Sequence, residues 1–95
     1  PWNYPFQLLI APLIGAIAGG NCAVLKPSEL APATSALVAT MIAEVFEQQY
    51  IAVVEGEGHT VLPALLQGFR FAHIFFTGSI PVGKAIYQMA AAQLV

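Results

Sequence analysis

Charge is what this sequence has least of. The first 25 residues, PWNYPFQLLIAPLIGAIAGGNCAVL, contain no Asp, Glu, Lys or Arg, and charged residues make up only 8% of the 95-residue chain. An ordinary soluble domain carries about 25%. A chain that is 58% hydrophobic cannot clothe itself in charge, so it either sits in lipid or forms a core layer whose faces are covered by further sequence. Basic residues are scarcest. With three Lys and Arg and a net charge of -2, no cationic patch can neutralise a run of phosphates, which argues against nucleic-acid binding. The single cysteine rules out an internal disulfide and cysteine-based zinc sites. His59 and His73 are too few and too far apart in sequence to suggest a metal. No basic stretch leads into an apolar one, so a secretory leader is not supported; the expected location is cytoplasmic, with membrane anchoring of the parent left open.

The long uncharged opening does not make a membrane span. Spanning takes about 20 continuous apolar residues, and Pro12, Gly19, Gly20 and Asn21 interrupt the run. GAIAG matches the small-xxx-small pattern of associating membrane helices. The same small residues let a soluble helix approach a sheet closely, and the uninterrupted length suits a buried helix.

What remains is a chain that alternates. Phe6 to Gly19 is long enough for a helix, with a kink expected at Pro12, and the Gly-Gly-Asn that follows stops it. CAVLKPS is a short β-rich run ended by Pro27. A second helix should begin near Pro32, since proline suits a first turn, and carry Leu37, Val38, Met41, Ile42 and Val45. IAVVEG reads as a second buried strand, TVLPALLQG as a short helix, HIFFTG as a third strand and Ser79 to Leu94 as a last helix. The order is αβαβαβα. Short strands apolar on both faces, separated by helices, predict an α/β fold with a parallel sheet and right-handed crossovers. At this length the chain is one domain at most, and only marginally able to fold alone.

In an open parallel sheet, ligands bind outside the carboxyl ends of the strands. Lys26 falls at that end of the first strand, and VVEGEG and FFTGS put glycine at the ends of the other two. Gly78 and Ser79 open a helix whose free amides suit a phosphate, although an ordinary capped turn explains a glycine there equally well. Cys22 starts an apolar strand with nothing nearby to activate a thiol, and is expected in the core. Glu55 and Glu57, two apart on a glycine-rich loop, fix no acid–base geometry and read as solvated.

Taken together, PWNYPF, LKPSE 25 residues on, and HIFFTGSIPVG after two further elements resemble the cofactor-binding domain of the aldehyde dehydrogenase superfamily. AVVEG and IFFTGS are most similar to its class 3 and fatty aldehyde dehydrogenase branch. The resemblance covers nearly the whole chain. It implies that residues 1–95 are part of a Rossmann-like cofactor-binding domain that uses NAD or NADP, within an enzyme that oxidises aldehydes to carboxylic acids and forms homo-oligomers.

The resemblance also assigns roles to particular residues. Asn3 would donate its side-chain amide to the substrate carbonyl oxygen as half of an oxyanion hole, a role that suits an amide because it donates at any pH. Without the surrounding motif, an asparagine between prolines would simply serve a turn. Trp2 would line the cofactor, or anchor a core. Lys26 and Glu29 would hold the adenosine ribose. Glu29 repels a 2′-phosphate and Lys26 attracts one, so these residues alone leave NAD and NADP open. Ser79 would meet the pyrophosphate, with Gly78 and Gly83 permitting close approach. Ile80 and Pro81 stand where many relatives have Thr and Glu, which removes any side-chain contact from those two positions.

The mechanism implied also needs a cysteine nucleophile and a glutamate that activates water. In the family both lie downstream of this segment, and the catalytic cysteine domain is absent here. The expectation is therefore a piece of a longer reading frame, inactive alone, that works with the remainder of the parent chain and an aldehyde substrate. The alternative is a truncated, noncatalytic nucleotide-binding or interaction module.

Overall fold

A computed structural model describes all of Pro1–Val95. The chain divides into two compact units, Pro1–Gly58 and His59–Val95. The first holds helix α1 (Gln7–Ala18), strand β1 (Ala23–Leu25), helix α2 (Pro32–Val45) and strand β2 (Ile51–Val53). Helix α3 (Gly58–Gly68) starts on the last residue of the first unit, and the second unit continues to helix α4 (Ile80–Ala91).

Helix α1 contains Pro12 and runs on to Ala18. It stops as its glycines dictate. Gly20 takes φ 76°, a left-handed conformation that costs glycine little. That lets the Gly20 and Asn21 amides turn back onto the carbonyls of Ile17 and Ala16, at 2.9 Å each. These are the paired bonds of a Schellman stop, and the Asn21 side chain adds a further bond to Ala16 O at 3.3 Å. Helix α2 has Pro32 in its first turn, where the missing amide donor is not needed.

The strands pair in parallel, Ala23 with Ile51, Val24 with Ala52 and Leu25 with Val53. Leu13 of α1, Leu25 of β1, Val38 and Ile42 of α2 and Ile51 of β2 form one core, with Leu9, Ile17, Phe46 and Tyr50 packed at its edge. Val38 and Ile51 are each only 1% exposed, and burying such side chains contributes about 1.5–3 kcal/mol apiece. Side chains alternate across a strand. Leu25 and Ile51 therefore meet the helices, while Val24 on the opposite face stays 40% exposed.

In the second unit Leu66, Ile86 and Ala90 are buried, and the Gln93 side chain donates to the carbonyl of Leu66. Phe69 and Phe71 stack with centroids 4.8 Å apart.

Two expectations are corrected. HIFFTG forms no strand: the sheet has two strands, and residues 73–78 are irregular, so the observed order is αβαβαα. A strand exists only through hydrogen bonds to a neighbour, and the second unit offers no other extended segment. Cys22 is exposed, since it precedes β1 instead of lying within it. No helix is long and apolar enough to cross a membrane.

Candidate functional site

The carboxyl ends of β1 and β2 open onto a cleft of about 200 Å³ lined by Pro27, Glu29, Pro32, Ser35, Glu55 and Gly56. Its position follows from the topology, because both parallel strands point their carboxyl ends the same way and the next residues must turn aside there. The loop after β1 carries the charge that the sequence withholds for its first 25 residues.

Lys26 and Glu29 form an ion pair, with Nζ donating to Oε2 at 2.6 Å. Lys26 also donates to the Pro27 carbonyl at 2.9 Å. The second carboxylate oxygen, Oε1, accepts the backbone N–H of Gly58 at 3.0 Å. The Lys26 hydrogen bond foremost, then those from the Gly58 and Glu29 backbone amides, hold the Glu29 carboxyl down to about 2 from its ordinary 4.5, against a small opposing effect of burial. Charged acceptors gain more from donors than neutral ones do, so Glu29 is firmly anionic at neutral pH.

Ser35 fixes the loop from below. It is the buried polar side chain of the chain, 5% exposed, and its hydroxyl donates to Ser28 O at 2.6 Å. The Ser28 hydroxyl in turn accepts the Leu30 amide at 3.2 Å. Sequence reasoning missed Ser35, and it marked Gly56 and Gly58 only as glycines at the end of a strand. Ser35 could have been found, because it shares the buried face of α2 with Val38 and Ile42, and a serine on an apolar stripe needs a partner. Gly56, at φ 133°, holds a backbone conformation closed to other residues. The bond from Gly58 to Glu29, 29 residues apart, leaves no local signal.

The remaining predicted residues are placed without being joined to this cluster. Asn3 and Trp2 are exposed, Trp2 by 68%, and the next residue, Tyr4, has φ 50°. Ser79 is the N-cap of α4 in extended conformation, its carbonyl accepting the Gly83 amide at 2.9 Å and its hydroxyl making no capping bond. A Cβ on Gly78 would lie 2.5 Å from Cζ of Phe76, and one on Gly83 would lie 3.4 Å from Cε1 of the same ring. Both glycines thus make room for an aromatic ring of their own unit, a packing reason that the sequence pattern did not reveal. No group of three or more His, Cys, Asp or Glu side chains is placed to hold a metal ion.

The model of the aldehyde dehydrogenase family matches residues 1–95, and the chain belongs to that family. It is 50% identical over its full length to 4,4′-diaponeurosporen-aldehyde dehydrogenase of Staphylococcus aureus (strain NCTC 8325 / PS 47), of which it covers 20%. It is 45% identical over 93 residues to aldehyde dehydrogenase family 3 member A2 of Macaca fascicularis, covering 98% of this chain and 19% of that protein. A solved substrate-bound state of Staphylococcus aureus AldH superposes with TM-score 0.91 at 47% identity, over 98% of this chain and 20% of that one. The chain thus spans about a fifth of the length of the relatives it matches.

Proposed function

We propose that this segment is part of the cofactor-binding domain of an NAD-dependent aldehyde dehydrogenase that oxidises aldehydes to carboxylic acids. The observation that carries the reading is the Lys26–Glu29 pair beside the cleft, in a chain belonging to this family. Its chemistry fits a ribose. A carboxylate has about four acceptor sites and an ammonium three donors. Glu29 uses three of these within the protein, for Lys26, the Gly58 amide and its own backbone amide, and Lys26 uses two donors. About one acceptor site therefore remains for a hydroxyl of a sugar diol, and Lys26 keeps a donor for a hydroxyl oxygen.

The same count supports NAD over NADP. The Lys26 charge is neutralised by Glu29, and Glu55 adds a second carboxylate to the cleft, so no net positive charge is left to hold a 2′-phosphate. Glu29 anchors and orients the sugar, and Trp2 lines the cofactor. The free Ser79 hydroxyl and the first amides of α4 receive the pyrophosphate. Asn3 donates to the oxygen of the aldehyde as negative charge develops there. A bound nicotinamide would supply the hydride acceptor for the oxidation of the aldehyde. The remainder of the parent chain supplies the nucleophile and the water-activating group.

The test is to assay the full-length parent for aldehyde-dependent reduction of NAD, followed by absorbance of the reduced cofactor, with Glu29→Gln alongside. We expect activity in the parent and weaker NAD binding in the variant. An inactive parent, or an unaltered KM for NAD in the variant, would sink the reading.

A further inference from the structure

The Glu29 carboxylate is the one site group held from two distant parts of the sequence. Lys26 and Glu29 share one loop, so their ion pair constrains the carboxylate only relative to its own segment. The bond that fixes Glu29 against something else is the one from the Gly58 amide to Oε1. That amide reaches Glu29 because the EGEG turn after β2 bends at Gly56, whose φ of 133° is open only to glycine. An exposed glutamate has three side-chain torsions, and without a second anchor its carboxylate would sample several staggered positions.

We propose that the backbone N–H of Gly58 is a positioning group for the Glu29 carboxylate, so that recognition of the cofactor ribose depends on the EGEG turn as well as on the loop that carries Glu29. The inference rests on the ribose role proposed for Glu29. Gly58 does not touch the sugar. It holds the carboxylate in one rotamer, so that binding need not order the side chain.

The test uses the full-length enzyme. Gly58→Pro removes the N–H donor at the first residue of α3, where proline is tolerated, although its ring also fixes φ and restricts Glu57. It should raise the KM for NAD about five- to tenfold, as expected for loss of a charge-assisted hydrogen bond, with kcat within about twofold because the ribose lies away from the reacting atoms. Gly58→Ala keeps the donor and should rescue KM to near the parental value. In the Glu29→Ala background, which has no acceptor for the Gly58 N–H, Gly58→Pro should add much less than it does alone. If Glu29→Gln raises KM but Gly58→Pro does not, the positioning role is overturned and the ribose role stands. If Glu29→Gln leaves KM unchanged, the ribose role itself falls. A second measurement avoids substituting Gly58: its amide should exchange hydrogen at least about tenfold faster in Glu29→Ala than in the parent, as a lost protecting bond requires. Equal exchange rates would overturn the proposal.

Discussion

Pro1–Gly58 and His59–Val95 contain apolar segments of the same kind, yet only the first builds a sheet. IAVV and IFF are equally apolar runs beside glycine-containing turns. Ile51–Val53 lies beside Ala23–Leu25 and pairs with it along its whole length. Ile74–Phe76 has no extended neighbour in its own unit and stays irregular. The consequence reaches the side chains: Ile51 is 1% exposed, whereas Phe75 is 66% exposed. An extended segment gains its backbone bonds and a face to bury only when a neighbouring strand supplies them. Composition says which segments could be strands, and a partner says which are.

The two units should therefore answer differently to substitution in the full-length enzyme. The largest effect expected is on chemistry in the first unit. Asn3→Ala should lower kcat about 100-fold or more, the scale for loss of an oxyanion donor, while the Kd for NAD changes little. Ser79→Ala in the second unit should do the reverse, moving NAD affinity and sparing kcat. Titration of cofactor binding beside steady-state kinetics separates the two, and equal losses in both parameters for Asn3→Ala would collapse the distinction.

Next in size is the contrast in packing. Ile51→Ala should cost about 2–5 kcal/mol, as for other large-to-small changes at fully buried sites. Tyr87→Ala, at a position 73% exposed on α4, should stay within about 0.5 kcal/mol. Chemical denaturation of the two variants measures this. A large cost at Tyr87 would mean that the parent covers that face of α4.

Glu29→Gln sharpens the electrostatic side of the comparison. Removing one carboxylate frees the Lys26 charge for a 2′-phosphate, and the NADP-to-NAD ratio of kcat/KM should rise by roughly tenfold, equivalent to about 1.4 kcal/mol. An unchanged ratio would place Glu29 away from the ribose.

The smallest effect is on acid stability. The Glu29 carboxyl is lowered from 4.5 to about 2, so its ionised form is favoured by folding. That contribution is fully present above pH 4.5 and is lost as the pH falls towards 2. The side chain is 38% exposed, and solvent screening holds the effect to about 1 kcal/mol or less. The stability difference between the parent and Glu29→Gln, followed by denaturant titration, should shrink over that range. A difference that is constant with pH would show that the ion pair contributes nothing to folding.

Much of this was legible in the sequence because it is local. The Gly-Gly-Asn stop of α1, the proline that opens α2, and the place of Lys26 at the end of β1 all follow from backbone preferences within a few residues. The family resemblance was carried by short motifs, and the match across residues 1–95 bears it out. Phe76 was read as a strand residue, but its ring lies against Gly78 and Gly83. Cys22 was assigned to the core by the apolarity of its neighbours, and its exposure depends on where β1 begins, one residue later.

By itself the sequence determined the α/β class, the helix ends and the family. Each is written in patterns of polarity and backbone freedom that act over one or two turns of chain. Only the tertiary structure decided that HIFFTG forms no strand, that Ser35 anchors the loop before α2, and that Gly58 reaches the Glu29 carboxylate. Those outcomes depend on which distant groups meet, and a hydrogen bond across 29 residues follows from the parallel pairing of β1 and β2, which sets the loops after them at one edge and which no local propensity encodes.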